Sequence, residues 1–211
     1  MISTRNLGAL PNKEALKKKA KALAVLDAIF APDWEDRYHF YNSKWGEGEE
    51  CFEMKNGSGT EMYVLFLEGG CAINGFVPAC VPHSKSSLTK NLPKVFQEFI
   101  YGDPVNSIGT TFCLWTTGGH KWHIGALGQE SDHSEEVLRI FDNSVEEYNS
   151  WASDYFSDVA ETGDEFNTAV SKIFSGATLP EDIISNLVDV EIDWEQLEED
   201  LKEINYPYQF D

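Results

Sequence analysis

The side chains able to do chemistry in this 211-residue chain fall into three groups, the first of them imidazoles and thiols. Cys71, Cys80 and His83 read as Cys-x8-Cys-x2-His, and His120-Lys121-Trp122-His123 supplies two further imidazoles. Zinc would need three or four of these to converge on one ion. Along a strand, positions three apart face opposite sides, so His120 and His123 could share a metal only across a bulge. No metal and no cofactor is therefore expected. The same residues place a thiol beside an imidazole, Cys80 with His83 or Cys113 with His120 or His123 across a hairpin. Neither pair resembles a known nucleophile setting, and a buried Cys with a surface or partly buried His is the plainer reading.

The second group is a run of carboxylates, Glu47, Glu49, Glu50 and Glu53, with Glu61 on the strand that follows. Acid/base hydrolysis asks for two carboxylates at a defined separation with their pKa values pushed apart. A solvated sheet face or rim is the plainer reading. Gly57-Ser58-Gly59 has neither the Lys-Ser/Thr nor the following helix of a phosphate loop, and it reads as a hairpin turn. If the chain is a small hydrolase or a ligand-binding protein, its pocket is expected in the sheet region, lined by His83, His120, His123, Glu50 and Glu53.

The third group is the acidic excess itself. The net charge is −20, yet residues 1–130 carry 13 Lys and Arg against 14 Asp and Glu, while residues 131–211 carry 3 against 22. A surface of that sign repels nucleic acid and anionic membranes, and it speeds encounter with a basic protein or simply keeps the chain in solution. It can also mimic the charge of a nucleic acid and so occlude a cationic target. With no catalytic motif in the chain, a non-enzymatic module that binds a basic protein partner is the leading expectation. The candidate contact residues are Asp193, Glu195, Glu198, Glu199 and Asp200, with Trp194 among them.

These residues need elements to hold them. A single domain over 1–211 is expected, built of a helix plus antiparallel sheet over 1–130 and an acidic helical part over 131–211. Leu16, Ala20, Leu23, Leu26 and Phe30 predict one amphipathic N-terminal helix, begun near Asn12 and stopped by Pro32. From Trp34 the period becomes two. A first strand through Tyr38 and Phe40, a hairpin about Asn56-Gly57-Ser58-Gly59, and a turn at Glu68-Gly69-Gly70 make a meander. Residues 91–101 predict a short helix facing inward through Leu92, Val95, Phe96, Phe99 and Ile100. A second hairpin over 110–127, turning at Gly118-Gly119, would set Trp115 opposite Trp122. Ser144 with Glu147, Thr162 with Glu165, Thr178 with Glu181 and Asp193 with Gln196 have capping spacing and predict four helix starts. The fold class is thus α+β: an N-terminal helix, an antiparallel sheet of about five to six strands, and acidic C-terminal helices packed on it.

The segment Met1–Pro11 is short and polar, and no run of about 18 apolar residues occurs, so neither a signal peptide nor a conventional transmembrane helix is expected. Cys51, Cys71, Cys80 and Cys113 lie in apolar, strand-like surroundings and read as free thiols of a cytoplasmic protein. In Trp45-Gly46-Glu47-Gly48-Glu49-Glu50, Gly57-Ser58-Gly59, Thr110-Thr111-Phe112-Cys113-Leu114-Trp115 and Tyr148-Asn149-Ser150-Trp151-Ala152, the chain resembles a family of bacterial proteins without assigned activity. Leu92-Pro93 leading a helix, then a Gly and a Thr-rich strand, is similar to SMI1/KNR4-type immunity proteins. The first resemblance carries no catalytic residues; the second implies an immunity-type role.

Overall fold

Asn12 starts the first helix by accepting the Ala15 N–H on its side-chain oxygen at 3.0 Å, which satisfies one of the donors a helix start leaves open. The computed structural model describes residues 1–211 apart from Pro82, Gly119, His120, Gln129, Asn143, Glu161, Thr162 and Asp211. Helix α1 runs over Lys13–Phe30, and Leu16, Ala20, Leu23, Leu26 and Phe30 are all buried along it. The chain divides into two compact units, one of Met1–Leu16 with Lys44–Asp142 and the other of Lys17–Ser43 with Asn143–Asp211.

The strands are β1 His39–Gly46, β2 Glu49–Lys55, β3 Glu61–Leu67, β4 Gly70–Phe76, β5 Phe112–Thr116 and β6 His123–Ile124, and they lie side by side in sequence order. Short turns explain that order. Asn56 accepts the N–H groups of Ser58 and Thr60, both at 3.0 Å, while Gly57 and Gly59 take positive φ, so the β2–β3 hairpin closes where Asn-Gly chemistry places it. On one face of the first unit's sheet, Cys51, Tyr63, Leu65, Ala72, Cys113 and Trp115 form a core with Leu92, Phe96, Ile100 and Val105. Those last four come from the segment that holds helix α2 (Lys85–Leu88), a 3-10 turn at Lys94–Phe96, α3 (Gln97–Tyr101) and α4 (Val105–Ile108).

Two details depart from the sequence pattern. Val95 is exposed rather than inward-facing, because the helix expected over 91–101 opens as a 3-10 turn and its buried positions become Leu92, Phe96 and Ile100. Trp115 pairs with His123, not Trp122. A shift of one residue sends a side chain to the other face of a strand, and Trp122 is instead buried with its indole N–H donated to the Pro11 carbonyl at 2.8 Å. The turn residue Gly119 lies outside the described residues. Past Ile124 the strand stops, because Ala126 N–H bonds to Ser87 carbonyl and Gly125 lies so close to the Leu88 carbonyl that a Cβ there would be 2.1 Å from its oxygen.

In the first unit α5 (Ser134–Leu138) follows, and in the second come α6 (Val145–Tyr155), α7 (Asp164–Ser175), α8 (Glu181–Ser185) and α9 (Trp194–Ile204). Ser144 and Glu147 form the full capping box of α6, and Asp193 accepts the Gln196 N–H at 3.0 Å to start α9. Thr162 lies outside the described residues. Thr178 does not cap α8: the residue before that helix is Pro180, and Leu179–Pro180 (β7) instead pairs in parallel with Tyr208–Gln209 (β8). The apolar stripes of the later helices are buried, Phe166, Ala169, Val170 and Ile173 on α7, and Leu197, Leu201 and Ile204 on α9.

Candidate functional site

In the first unit the sheet separates the residues expected to share a pocket. Continuous register from Glu50 opposite Phe66 to Lys55 opposite Glu61 means that Glu50 and Glu53 point to opposite faces of β2. Glu53 shares its face with His123, yet four interstrand steps of about 4.8 Å, roughly 19 Å in all, lie between β2 and β6. His83 is exposed, with its ring against Gly128, and His120 lies outside the described residues. Each remaining group already has work. Glu53 accepts the Tyr63 hydroxyl at 2.5 Å and pairs with Lys55, and His123 stacks on Trp115 with ring centroids 6.4 Å apart. Burial, followed by the bond to Glu53, holds the Tyr63 phenol well above its ordinary value, so it remains a neutral donor.

The thiols are equally unsuited to attack. Cys51, Cys71 and Cys113 are buried and stand outside any disulfide, and burial pushes the Cys113 thiol up to about 12 and the Cys51 thiol higher still. Cys80 is partly open, but burial and then the Asp132 charge raise it as well. His133, Glu135 and Glu136 bring one ligand atom each within 4.8 Å of one another, a donor set that could hold a divalent cation. His133 Nδ1 is already 2.8 Å from Glu136, and any ion would have to displace that bond.

The second unit holds 22 acidic side chains against 7 basic ones, a net charge of −15. Its carboxylates divide sharply by environment. Asp200, on the inward side of α9, is buried and meets the Arg37 guanidinium through two bonds of 2.9 and 2.7 Å, while Arg37 also donates to the carbonyls of Ala31 and Pro32. Glu198 pairs with Lys202 at 2.9 Å and accepts the Tyr208 hydroxyl at 2.8 Å. Those two bonds hold its carboxyl below the ordinary range. Asp193 is spent on the helix cap, and Trp194 is half-buried with its ring 5.2 Å from Phe210. Glu195 and Glu199 stand exposed. Of the six contact candidates, therefore, three carry exposed carboxylates, and one of those, Asp193, spends an oxygen on the helix cap.

A second cluster in this unit escapes sequence reasoning. Asp27, in the last turn of α1, is buried where a negative charge opposes the helix dipole. What offsets that cost is a set of donors: the N–H groups of Tyr38 and His39 bond its Oδ2 at 2.7 and 2.8 Å, and His39 Nδ1 lies 3.0 Å from Oδ1. An Asp-oriented imidazole supplies two of the three members of a catalytic triad, but His39 is only 2% exposed and is covered by Tyr38 and Trp151. The dyad fastens the start of β1 to α1. Over it Tyr38, Trp151 and Tyr155 pack together, Trp151 and Tyr155 stacked at 5.2 Å one helical turn apart and Tyr38 set edge-on to both. The signal available in the sequence was one carboxylate inside the otherwise apolar run from Ala22 to Ala31.

A cleft of about 490 Å³ lies along α7, lined by Asp164, Asn167, Thr168, Ser171, Lys172 and Ser175. One helix supplies this whole lining. Thr168, Ser171 and Ser175 donate their hydroxyls back to carbonyls of that helix, so the polar groups do not converge on a ligand. Among the described residues no helix is long and apolar enough to cross a membrane. No protein-family model, curated protein or solved structure matches the chain.

Proposed function

We propose that the protein is a non-enzymatic binding module that recognises a basic protein partner through the acidic helices of its second unit, in the manner of a cytoplasmic immunity-type or regulatory protein. One observation carries this reading: a net charge of −15 in that unit with Glu195 and Glu199 left open on α9, after Asp200 and Glu198 have been engaged internally. Exposed carboxylates on a helix are mutually repelled and gain from a cationic surface, which raises the association rate and makes it sensitive to salt. The resemblance of Leu92-Pro93 and the strand after it to immunity proteins agrees with a role in occluding a target.

The test is capture from native lysate at low salt, with the double variant Glu195→Lys/Glu199→Lys run beside the parent protein. A stoichiometric partner should elute with rising salt and be lost in the variant. A partner retained equally by both proteins, or none captured, refutes the reading. The alternative, a small hydrolase or ligand-binding protein with a pocket in the sheet, has less support because Glu50 and Glu53 face opposite ways and His123 stands about four strand spacings from them.

A further inference from the structure

Tyr155 is the place where the second unit spends aromatic surface without covering it. On α6 it continues the stripe of Tyr148, Trp151 and Ala152, yet it is 47% exposed, while Tyr148 and Ala152 are buried and Trp151 is half-buried. Its ring is held rigidly: stacked on Trp151 at 5.2 Å, edge-on to Tyr38 at 5.5 Å, and backed by Phe156 at 4.8 Å. Beneath lie the Asp27–His39 dyad and the buried Tyr148 ring, 5.6 Å from Trp151. The result is an aromatic platform packed on the dyad, with Tyr155 its exposed ring.

Several of the charged residues beside it in sequence are acidic. Asp154 and Asp158, before and after Tyr155 on the chain, are exposed, as are Glu35 and Asp36 ahead of Tyr38. Between Arg139 and Lys172 the sequence has no Lys or Arg at all, and Arg37, the one cation close to Tyr38 in sequence, is bonded to Asp200, Ala31 and Pro32. Burial, followed by the charges of Asp27 and Asp36, holds the Tyr155 phenol above its ordinary value, so the ring is neutral at physiological pH and presents an electron-rich face. Aromatic faces attract cations through their quadrupole, and neighbouring carboxylates add to that attraction.

We propose that the platform of Tyr38, Trp151 and Tyr155 is the docking point for an arginine side chain of the basic partner, stacked on the exposed aromatic surface and paired with the surrounding carboxylates. Arginine fits better than lysine for a physical reason. Its guanidinium is planar, weakly hydrated and able to stack on a ring while its N–H fork reaches carboxylates, whereas a lysine ammonium is a compact and strongly hydrated point charge. The inference rests on the proposed function, since it names the chemistry by which the basic partner would be read.

The experiment titrates the full chain with two fluorescent peptides of equal charge, nona-arginine and nona-lysine, and compares the parent with Tyr155→Leu, Tyr155→Phe and the double variant Glu195→Lys/Glu199→Lys. Leucine keeps apolar bulk and removes the π face; phenylalanine keeps the face. Nona-arginine should bind more tightly than nona-lysine, and Tyr155→Leu should weaken nona-arginine by about three- to fivefold with little change for nona-lysine, while Tyr155→Phe stays close to the parent. Nona-arginine should also shift the Trp151 indole N–H resonance, a reading that does not depend on any variant. Equal affinity for the two peptides, an unchanged nona-arginine affinity in Tyr155→Leu, an equal loss for both peptides, or a stationary Trp151 signal overturns the platform as the docking point. If the charge-reversed α9 alone abolishes binding in those cases, the proposed function stands without it; if neither peptide binds the parent, both fall.

Discussion

At the scale of single residues, carboxylates of the same type do opposite work. Asp200 and Glu199 are neighbours in sequence, but one is buried against Arg37 at 2.7 Å and the other faces water. Removing one partner of a buried, doubly bonded pair leaves the other charge uncompensated, at a cost of about 3–5 kcal/mol. An exposed carboxylate on a helix contributes within about 0.5 kcal/mol. Asp200→Ala should therefore lower the urea midpoint markedly while Glu199→Ala leaves it in place; equal midpoints would show that Arg37 and Asp200 are not paired in solution. The position of Asp200 on the inward side of α9 was open to periodic reasoning, since Leu197 and Leu201 flank it on the same face. Its partner was not, because Arg37 lies 163 residues away and nothing local links the two.

Elements show how far local chemistry reaches. Helix starts at Asn12, Ser144 and Asp193 form where a side-chain oxygen precedes an apolar stripe, and the hairpin at Asn56-Gly57 forms where positive φ is tolerated. Thr178 has the same capping spacing and fails, since pairing of β7 with β8 at the far end of the chain claims the extended backbone first. The start of α5 has its own device, His133 held by Glu136 in the first turn. That bond raises the imidazole above its ordinary value of 6.5. A group raised in the folded state stabilises fully below its unfolded pKa, and the contribution is lost as pH rises through the folded value. Histidine NMR should therefore find His133 titrating above the ordinary range and Glu136→Gln returning it there. An unchanged titration in that variant would exclude Glu136 as the cause.

For the whole molecule, the net charge of −20 sets behaviour that no single contact explains. Like charges on a compact chain repel over a Debye length of about 30 Å at 0.01 M salt and about 8 Å at 0.15 M. Moving between those two conditions should raise the thermal midpoint by a few degrees, because repulsion is screened while the buried Arg37–Asp200 pair is barely touched. A midpoint independent of salt would mean that the exposed carboxylates stand too far apart to repel.

Sequence alone determined the α+β class, the meander of β2, β3 and β4, the burial of three thiols, three of the helix starts and the distribution of charge, since each follows from periodicity, turn residues or counting over a few neighbouring positions. Only the tertiary structure decided which acidic residues remain available and which are used. It engaged Asp200 and Glu198 internally, left Glu195 and Glu199 open, and gathered Tyr38, Trp151 and Tyr155 over the Asp27–His39 dyad. The Arg37–Asp200 pair and the meeting of Tyr38 with Trp151 join residues more than a hundred positions apart, whereas the Glu198–Lys202 pair, one helical turn long, was within reach of local reading. A local pattern shows that a side chain is polar or apolar, while what it meets is settled by the rest of the chain.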